Sequence, residues 1–148
     1  MWAQATLPVC PTQLNISAWL ISTTISARGL VQVGCSVYSH LNQGEWIKAR
    51  QAVDGIVGRD TNHMDETEMV RATVETMAEN IVDGVAGALG VQLEGTNYYD
   101  GIPSCRPHLG IKESELNRQT IKQTPRFIYA VGIMAVLSGA CIAKILAG

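Results

Sequence analysis

The sequence predicts an all-α, helical membrane protein with a C-terminal transmembrane helix and cytoplasmic amphipathic helices before it. Three observations carry that prediction. Charge is unevenly spread: residues 1–27 hold none, residues 45–83 hold 13 of the 24 charges, and residues 127–148 hold only Lys144. Charged residues are 16% of the chain against 47% hydrophobic, where a soluble domain carries about 25% charged. Apolar residues also recur at three- and four-residue spacing through the middle of the chain. With 148 residues and a net charge of −2, the chain has the size of one domain and lacks the positive charge of a nucleic-acid binder. Its apolar content excludes intrinsic disorder.

The elements follow in order. Residues 14–27 (LNISAWLISTTISA) are uncharged but rich in Ser and Thr, and Arg28 follows. They suit a half-buried helix or a membrane segment whose hydroxyls face other helices. Because Arg28 is the first basic residue, the basic start of a secretory signal is missing. Helical spacing runs on to residue 42, breaks at Asn42-Gln43-Gly44, and resumes over residues 45–57, where Gly58 is expected to close the helix. Asp65 can cap the next helix, with Glu68 completing a capping box. That helix is expected to reach Val85, with Val70, Val74, Met77, Ile81 and Val85 on one stripe and Glu68, Arg71, Glu75, Glu79 and Asp83 on another. Residues 90–126 read as a loop region, with short extended pieces before residue 111. Residues 127–146 then give about 30 Å of apolar helix, the thickness of a bilayer core. Lys144 can snorkel, Phe127 and Tyr129 suit the interface, and Lys112, Arg118, Lys122 and Arg126 place residues 28–126 in the cytoplasm. A buried core helix would have the same composition.

The chemistry concentrates in the middle. Cys10, Cys35, Cys105 and Cys141 are far apart and form no CxxC pair, so they read as free thiols in a reducing compartment. Cys105 and His108 have zinc-like spacing but no second ligand pair. His40, His63 and His108 are isolated, and no Walker A, GxGxxG, GxSxG or HExxH pattern occurs. Between Asp65 and Asp83 stand six carboxylates and one basic residue, Arg71. On one helix Glu75, Glu79 and Asp83 would line up about 6 Å apart, and like charges at that spacing want a cation. Oxygen ligands of this kind suit Mg²⁺; a solvated helix face explains the same spacing with nothing bound. In the loop GRDTNHMD, residues 58–65, Arg59 can clamp a phosphate or carboxylate and Asp60 can hold a metal. A plain turn explains those residues too.

Three runs carry a resemblance: IVGRDTNHMDETEMVRATVETMAENIVDGV (56–85), TTISARGLVQVGCSVYSHLNQGEWIKARQAV (23–53) and VAGALGVQLEGTNYYDGIPSCRPHLG (85–110). Together they resemble the adenosylcobinamide-phosphate synthase family of cobalamin biosynthesis (CbiB/CobD-type). The resemblance implies a membrane protein of the inner membrane, its motif region cytoplasmic. Such enzymes join aminopropanol or its phosphate to the carboxylate of adenosylcobyric acid as an amide, with ATP and Mg²⁺ expected to activate that carboxylate. Corrinoid and amino alcohol are then the substrates, with membrane lipid around the protein and no nucleic acid. On that reading Asp60, Glu79 and Asp83, with Glu75, hold Mg²⁺. Glu75, Glu79 and Asn80 form the catalytic set, and Arg59, Thr61 and Arg71 contact substrate. The chain departs from the family pattern near Val85, where a central stretch with further membrane helices has no counterpart. Ile81 and Glu94 stand where a small hydroxyl residue and a Gly are expected. The alternative is a membrane-anchored accessory protein or a remnant without catalysis. A homo-oligomer or a complementary chain would supply what one copy lacks.

Overall fold

Helical apolar spacing assembles here around one central helix. A computed structural model describes residues 28–78 and 81–147. The expected membrane segment within 14–27 lies outside the described residues. In order come α1, helical over residues 28–42, α2 (Trp46–Asp54), α3 (Glu66–Ala78), α4 (Val82–Leu89), β1 (Thr96–Tyr99), β2 (Ile102–Cys105) and α5 (Arg118–Ala147).

α3 is the centre. Met69, Val70, Ala72, Thr73, Val74, Met77 and Ala78 are all buried, which leaves it little free surface. α1 lays Val31, Val37 and Leu41 into the same core, and Gly34 lets it come close: a Cβ there would stand 2.2 Å from Met77 Sδ. α2 contributes Ala49 and Val53. Each fully buried apolar side chain of this kind stabilises by about 1.5–3 kcal/mol. α3 starts as its sequence predicts, with a reciprocal capping box: Glu68 N–H donates to Asp65 Oδ1 at 2.8 Å and Asp65 N–H to Glu68 Oε2 at 3.0 Å.

Four expectations are corrected. α2 stops at Asp54 instead of reaching Gly58: Gly55 is its C-cap, and the Ile56 N–H bonds Val53 O three residues back, the tightened turn common at helix ends. The helix expected over residues 65–85 is two helices, with Ile81 at φ −125° forming the non-helical start of α4. α5 begins at Arg118 instead of Phe127, so residues 118–126 are helix and not loop. Asn117 explains that start, its side-chain oxygen accepting the Gln119 N–H at 2.9 Å as an N-terminal cap.

The fourth correction concerns the fold class: the molecule is mostly helical, but not all-α. β1 and β2 pair antiparallel with Thr96 opposite Cys105 and Tyr99 opposite Ile102. Asp100 and Gly101 make the connection at φ 52° and 77°, the doubly positive geometry of a tight hairpin turn that Asp-Gly favours. Leu93 and Leu109 extend the pairing by one bridge.

α5 has two unlike halves. Its start packs on α3 through Thr120, Ile121 and Thr124, all buried. Thr124 Oγ1 donates to Thr120 O at 2.8 Å, so that hydroxyl is buried at little cost. Arg118 grips Glu66 of α3 through Nε and through Nη2 at 2.9 Å, and its guanidinium lies 5.4 Å from the Trp46 ring centre. Lys122 lies likewise over Tyr38 of α1, at 5.6 Å. Beyond Tyr129 the helix leaves the body, with Ile133, Met134, Val136, Leu137, Ile142 and Ile145 exposed. Among the described residues it is the one helix long and apolar enough to cross a membrane.

Candidate functional site

A carboxylate in the middle of a buried helix must find partners or lose its charge. Glu75 of α3 is 7% exposed and finds two. Arg59 Nη2 donates to its Oε2 at 2.6 Å, and the Glu94 backbone N–H donates to Oε1 at 2.6 Å. Arg59, from the loop after α2, is itself buried and also donates through Nη1 to Asn97 Oδ1 of β1. Arg71, one turn before Glu75, reaches the same segment: Nη1 donates to Glu94 O at 2.7 Å and Nη2 to Thr96 O at 3.2 Å. Its Nε has no hydrogen-bond partner and lies 3.9 Å from Glu75 Oε1. The polar stripe of α3 is thus covered by residues 93–97 and stitched to them.

The next residue, Asp60, holds the tip of the hairpin. Its N–H donates to Tyr98 O at 2.8 Å, and its carboxylate accepts the N–H groups of Asp100 at 3.2 Å and Gly101 at 2.7 Å. Thr61 is buried and spends its hydroxyl on Asp54 Oδ1 at 2.8 Å. Between this loop, the start of α3 and the hairpin lies a cleft of about 330 Å³, bordered by Arg59, Asp60, His63, Arg71, Tyr98 and Asp100 among others. A smaller one of about 180 Å³ lies on the other side of Arg71, against His108, Lys112 and Glu115.

Of the residues singled out by sequence, Arg59, Asp60 and Arg71 meet at the larger cleft. Glu75 lies beneath it as the buried anchor, and Thr61 is turned to Asp54. Asp83 is exposed in the first turn of α4, and the break at Ile81 removes it from any continuous ladder with Glu75. Glu79 and Asn80 lie outside the described residues. Among the described residues, no group of three His, Cys, Asp or Glu side chains is placed to hold a metal ion. Asn97, Tyr98 and Asp100 border the cleft without having been singled out; the Asp-Gly dipeptide was the signal for the hairpin that presents them.

Two carboxylates away from the cleft are held below the usual range. For Glu66 the cause is the hydrogen bond from Arg118; for Glu45 it is that from Lys48, then that from His40.

Residues 1–86 match the family described as CobD/Cbib protein. The cobalamin biosynthesis protein CobD of Clostridium perfringens is 40% identical over 106 residues, which cover 68% of this chain and 33% of that protein. CobD of Yersinia enterocolitica is 32% identical over 117 residues, 79% of this chain and 34% of the relative. The cobalamin biosynthesis protein CbiB of Salmonella typhi is 36% identical over 75 residues, 51% of this chain and 24% of the relative. The chain therefore spans about a third of the length of these relatives or less. No solved structure matches.

Proposed function

The chain belongs to the CobD/Cbib protein family, and from that premise we propose that it serves cobalamin biosynthesis. Its step is the joining of aminopropanol, or its phosphate, to the carboxylate of adenosylcobyric acid. One observation carries the reading. The matched residues include the 58–65 loop and α3, and these bring Arg59, Asp60 and Arg71 to one cleft. Forming an amide from a free carboxylate requires activation, and ATP with Mg²⁺ is the proposed reagent. The described residues do not by themselves fit a Mg²⁺ centre: both Glu75 oxygens are already engaged, and no acidic trio converges. The contribution of this part of the chain is binding and orientation, through the guanidinium of Arg71 and the Asp60-pinned hairpin. We place α5 across the inner membrane with its N-terminal end in the cytoplasm. Lys112, Arg118, Lys122 and Arg126 precede the apolar half, and only Lys144 follows, the asymmetry of the positive-inside rule.

Complementation tests the reading: the chain is expressed in a bacterium lacking this step, and cobalamin-dependent growth is scored. Growth with the chain alone is the expected result. Growth only when a second chain supplies the segments present in the longer relatives identifies an accessory part of a split enzyme. No growth in either case, with the protein present in the membrane, overturns the assignment.

A further inference from the structure

Beyond Tyr129, α5 presents an apolar surface that nothing among the described residues covers: Ile133, Met134, Val136, Leu137 and Ile142 are all exposed. A Cβ added at Gly132 or Gly139 would meet no other atom within 4 Å. The direction of α1 shows which part of the chain adjoins this surface. Trp46, just past the C-terminal end of α1, has its ring centre 5.4 Å from the Arg118 guanidinium. Tyr38, eight residues earlier, meets Gln119 at 3.4 Å, and its ring centre lies 5.6 Å from the Lys122 ammonium. Going back along α1 is therefore going forward along α5, so the two helices are antiparallel. At about 1.5 Å per residue, ten residues from the Tyr38–Lys122 contact bring Arg28 and Gly132 to one level, about 15 Å further on. α1 is still helical at Arg28, so the chain before it starts out beside the bare half of α5.

We propose that the occupant of this surface is the segment 14–27 of the same chain, which continues α1 and packs antiparallel on α5 as one arm of a membrane hairpin. The register follows from the contact at Tyr38. Two seven-residue steps, each about two helical turns, lead from Tyr38 to Thr24 and from Lys122 to Val136. Thr24 is thus opposite Val136, and Leu20, one turn on, is opposite Ala140. Length fits: residues 14–27 give about 21 Å of helix, which carries Leu14 to the last turn of α5. Polarity fits as well. The segment has no charge but holds Ser17, Ser22, Thr23, Thr24 and Ser26, and membrane helices turn such hydroxyls towards one another rather than to lipid. The facing stretch of α5 offers Gly132, Gly139 and Ala140, small residues over which a second backbone comes close. Arg28 and Arg126 stand at the same end of the pair, where the long side chain of Arg28 reaches the interface. The inference rests on the membrane placement of α5 proposed above and is independent of the reaction.

The test is disulfide trapping in the full chain, in the membranes of the expressing cells, with Cys10, Cys35, Cys105 and Cys141 each replaced by Ser. Two pairs are introduced, Thr24→Cys with Val136→Cys and Leu20→Cys with Ala140→Cys. After mild oxidation each is expected to form a bridge within one chain, seen as a monomer whose thiols resist a maleimide until reduced. Thr24→Cys with Met134→Cys places the second thiol on the far side of α5. It should bridge at least about tenfold more slowly, since Cα atoms more than about 7 Å apart are not joined without movement. Thr96→Cys with Cys105 retained is the folding control, because those two side chains already meet at 3.6 Å across the hairpin. Failure of both membrane pairs while the control bridges overturns the proposal. Bridges between two chains only also overturn it and assign the surface to a second copy, as does equal bridging at Met134, which shows no fixed face. Bridging without complementation keeps this inference and removes the reaction above; complementation without bridging does the reverse.

Discussion

Glu75 shows how a residue chosen for chemistry turns out to be structural as well. Its buried pairing with Arg59 joins α3 to the loop that forms the cleft. Breaking such a pair from one side costs about 3–5 kcal/mol, because the remaining charge stays buried, whereas replacing both partners by apolar groups is often neutral. Glu75→Ala and Arg59→Ala should therefore each lose that much in denaturant unfolding, while Arg59→Met with Glu75→Met recovers most of it. Full recovery of growth in the complementation assay by the double variant would remove both residues from the reaction. Glu94 makes the opposite point. It holds φ 62° at a position where the family pattern led us to expect Gly, and an L-residue in that region costs about 1–2 kcal/mol. Glu94→Gly is expected to raise stability by about 1 kcal/mol, net of Gly's greater unfolded freedom. A lower unfolding midpoint would contradict that. The sequence places Arg59 and Asp60 side by side in one loop; Asn97, which accepts from Arg59, and Glu94, whose N–H donates to Glu75, are not legible there, because they lie 38 and 19 residues from the groups they bond.

At the scale of elements, local signals hold wherever the local rule also governs the structure. Asp65 and Glu68 start α3 as their spacing implies. The break at Ile81 leaves no mark in the apolar spacing, because its flanking stripe, Met77 and Val85, stays buried on both sides. α4 runs unbroken through Val85. The hairpin falls where the sequence reads as loop with short extended pieces, because Gly, Pro and Asn dominate its surroundings, although Tyr-Tyr-Asp-Gly-Ile contains its turn. Gly101→Ala would put a Cβ at φ 77° and cost about 1–2 kcal/mol; the readout is faster amide exchange over residues 96–105. The α3–α5 tie is testable by pH. Glu66 has its pKa lowered in the folded state by Arg118. Its contribution to stability is then present above the ordinary carboxylate value and is lost as pH falls through the lower, folded value. Stability of Glu66→Gln should be reduced at neutral pH and fall less steeply on acidification, a difference that thermal melts between pH 3 and 6 resolve (about one to two units around the usual Glu value).

For the whole molecule, the governing fact is that one end is a packed helical body and the other a bare apolar helix. The uneven charge made this legible in sequence, but not where the change occurs: α5 begins nine residues before the expected span, since Arg118 and Lys122 anchor its start to the body. Its exposed half, from Tyr129 onwards, has no partner within the described chain, and water is a poor solvent for so much apolar surface. If α5 crosses the bilayer, each charge placed at its centre costs about 2.5–3.5 kcal/mol on insertion. Met134→Asp with Leu137→Arg should then move the chain from the carbonate-resistant membrane fraction to the extractable one. Met134→Leu with Leu137→Met should leave it in place. Orientation follows from the free cysteines, Cys35, Cys105 and Cys141. With the basic end inside, Cys105 in intact cells should resist a membrane-impermeant maleimide and react once the membrane is opened, because it is exposed on the hairpin. Labelling of a variant retaining only Cys105, before permeabilisation, would place the cleft on the outer face, away from cytoplasmic ATP. That result would remove the proposed activation step while leaving the helix in the membrane.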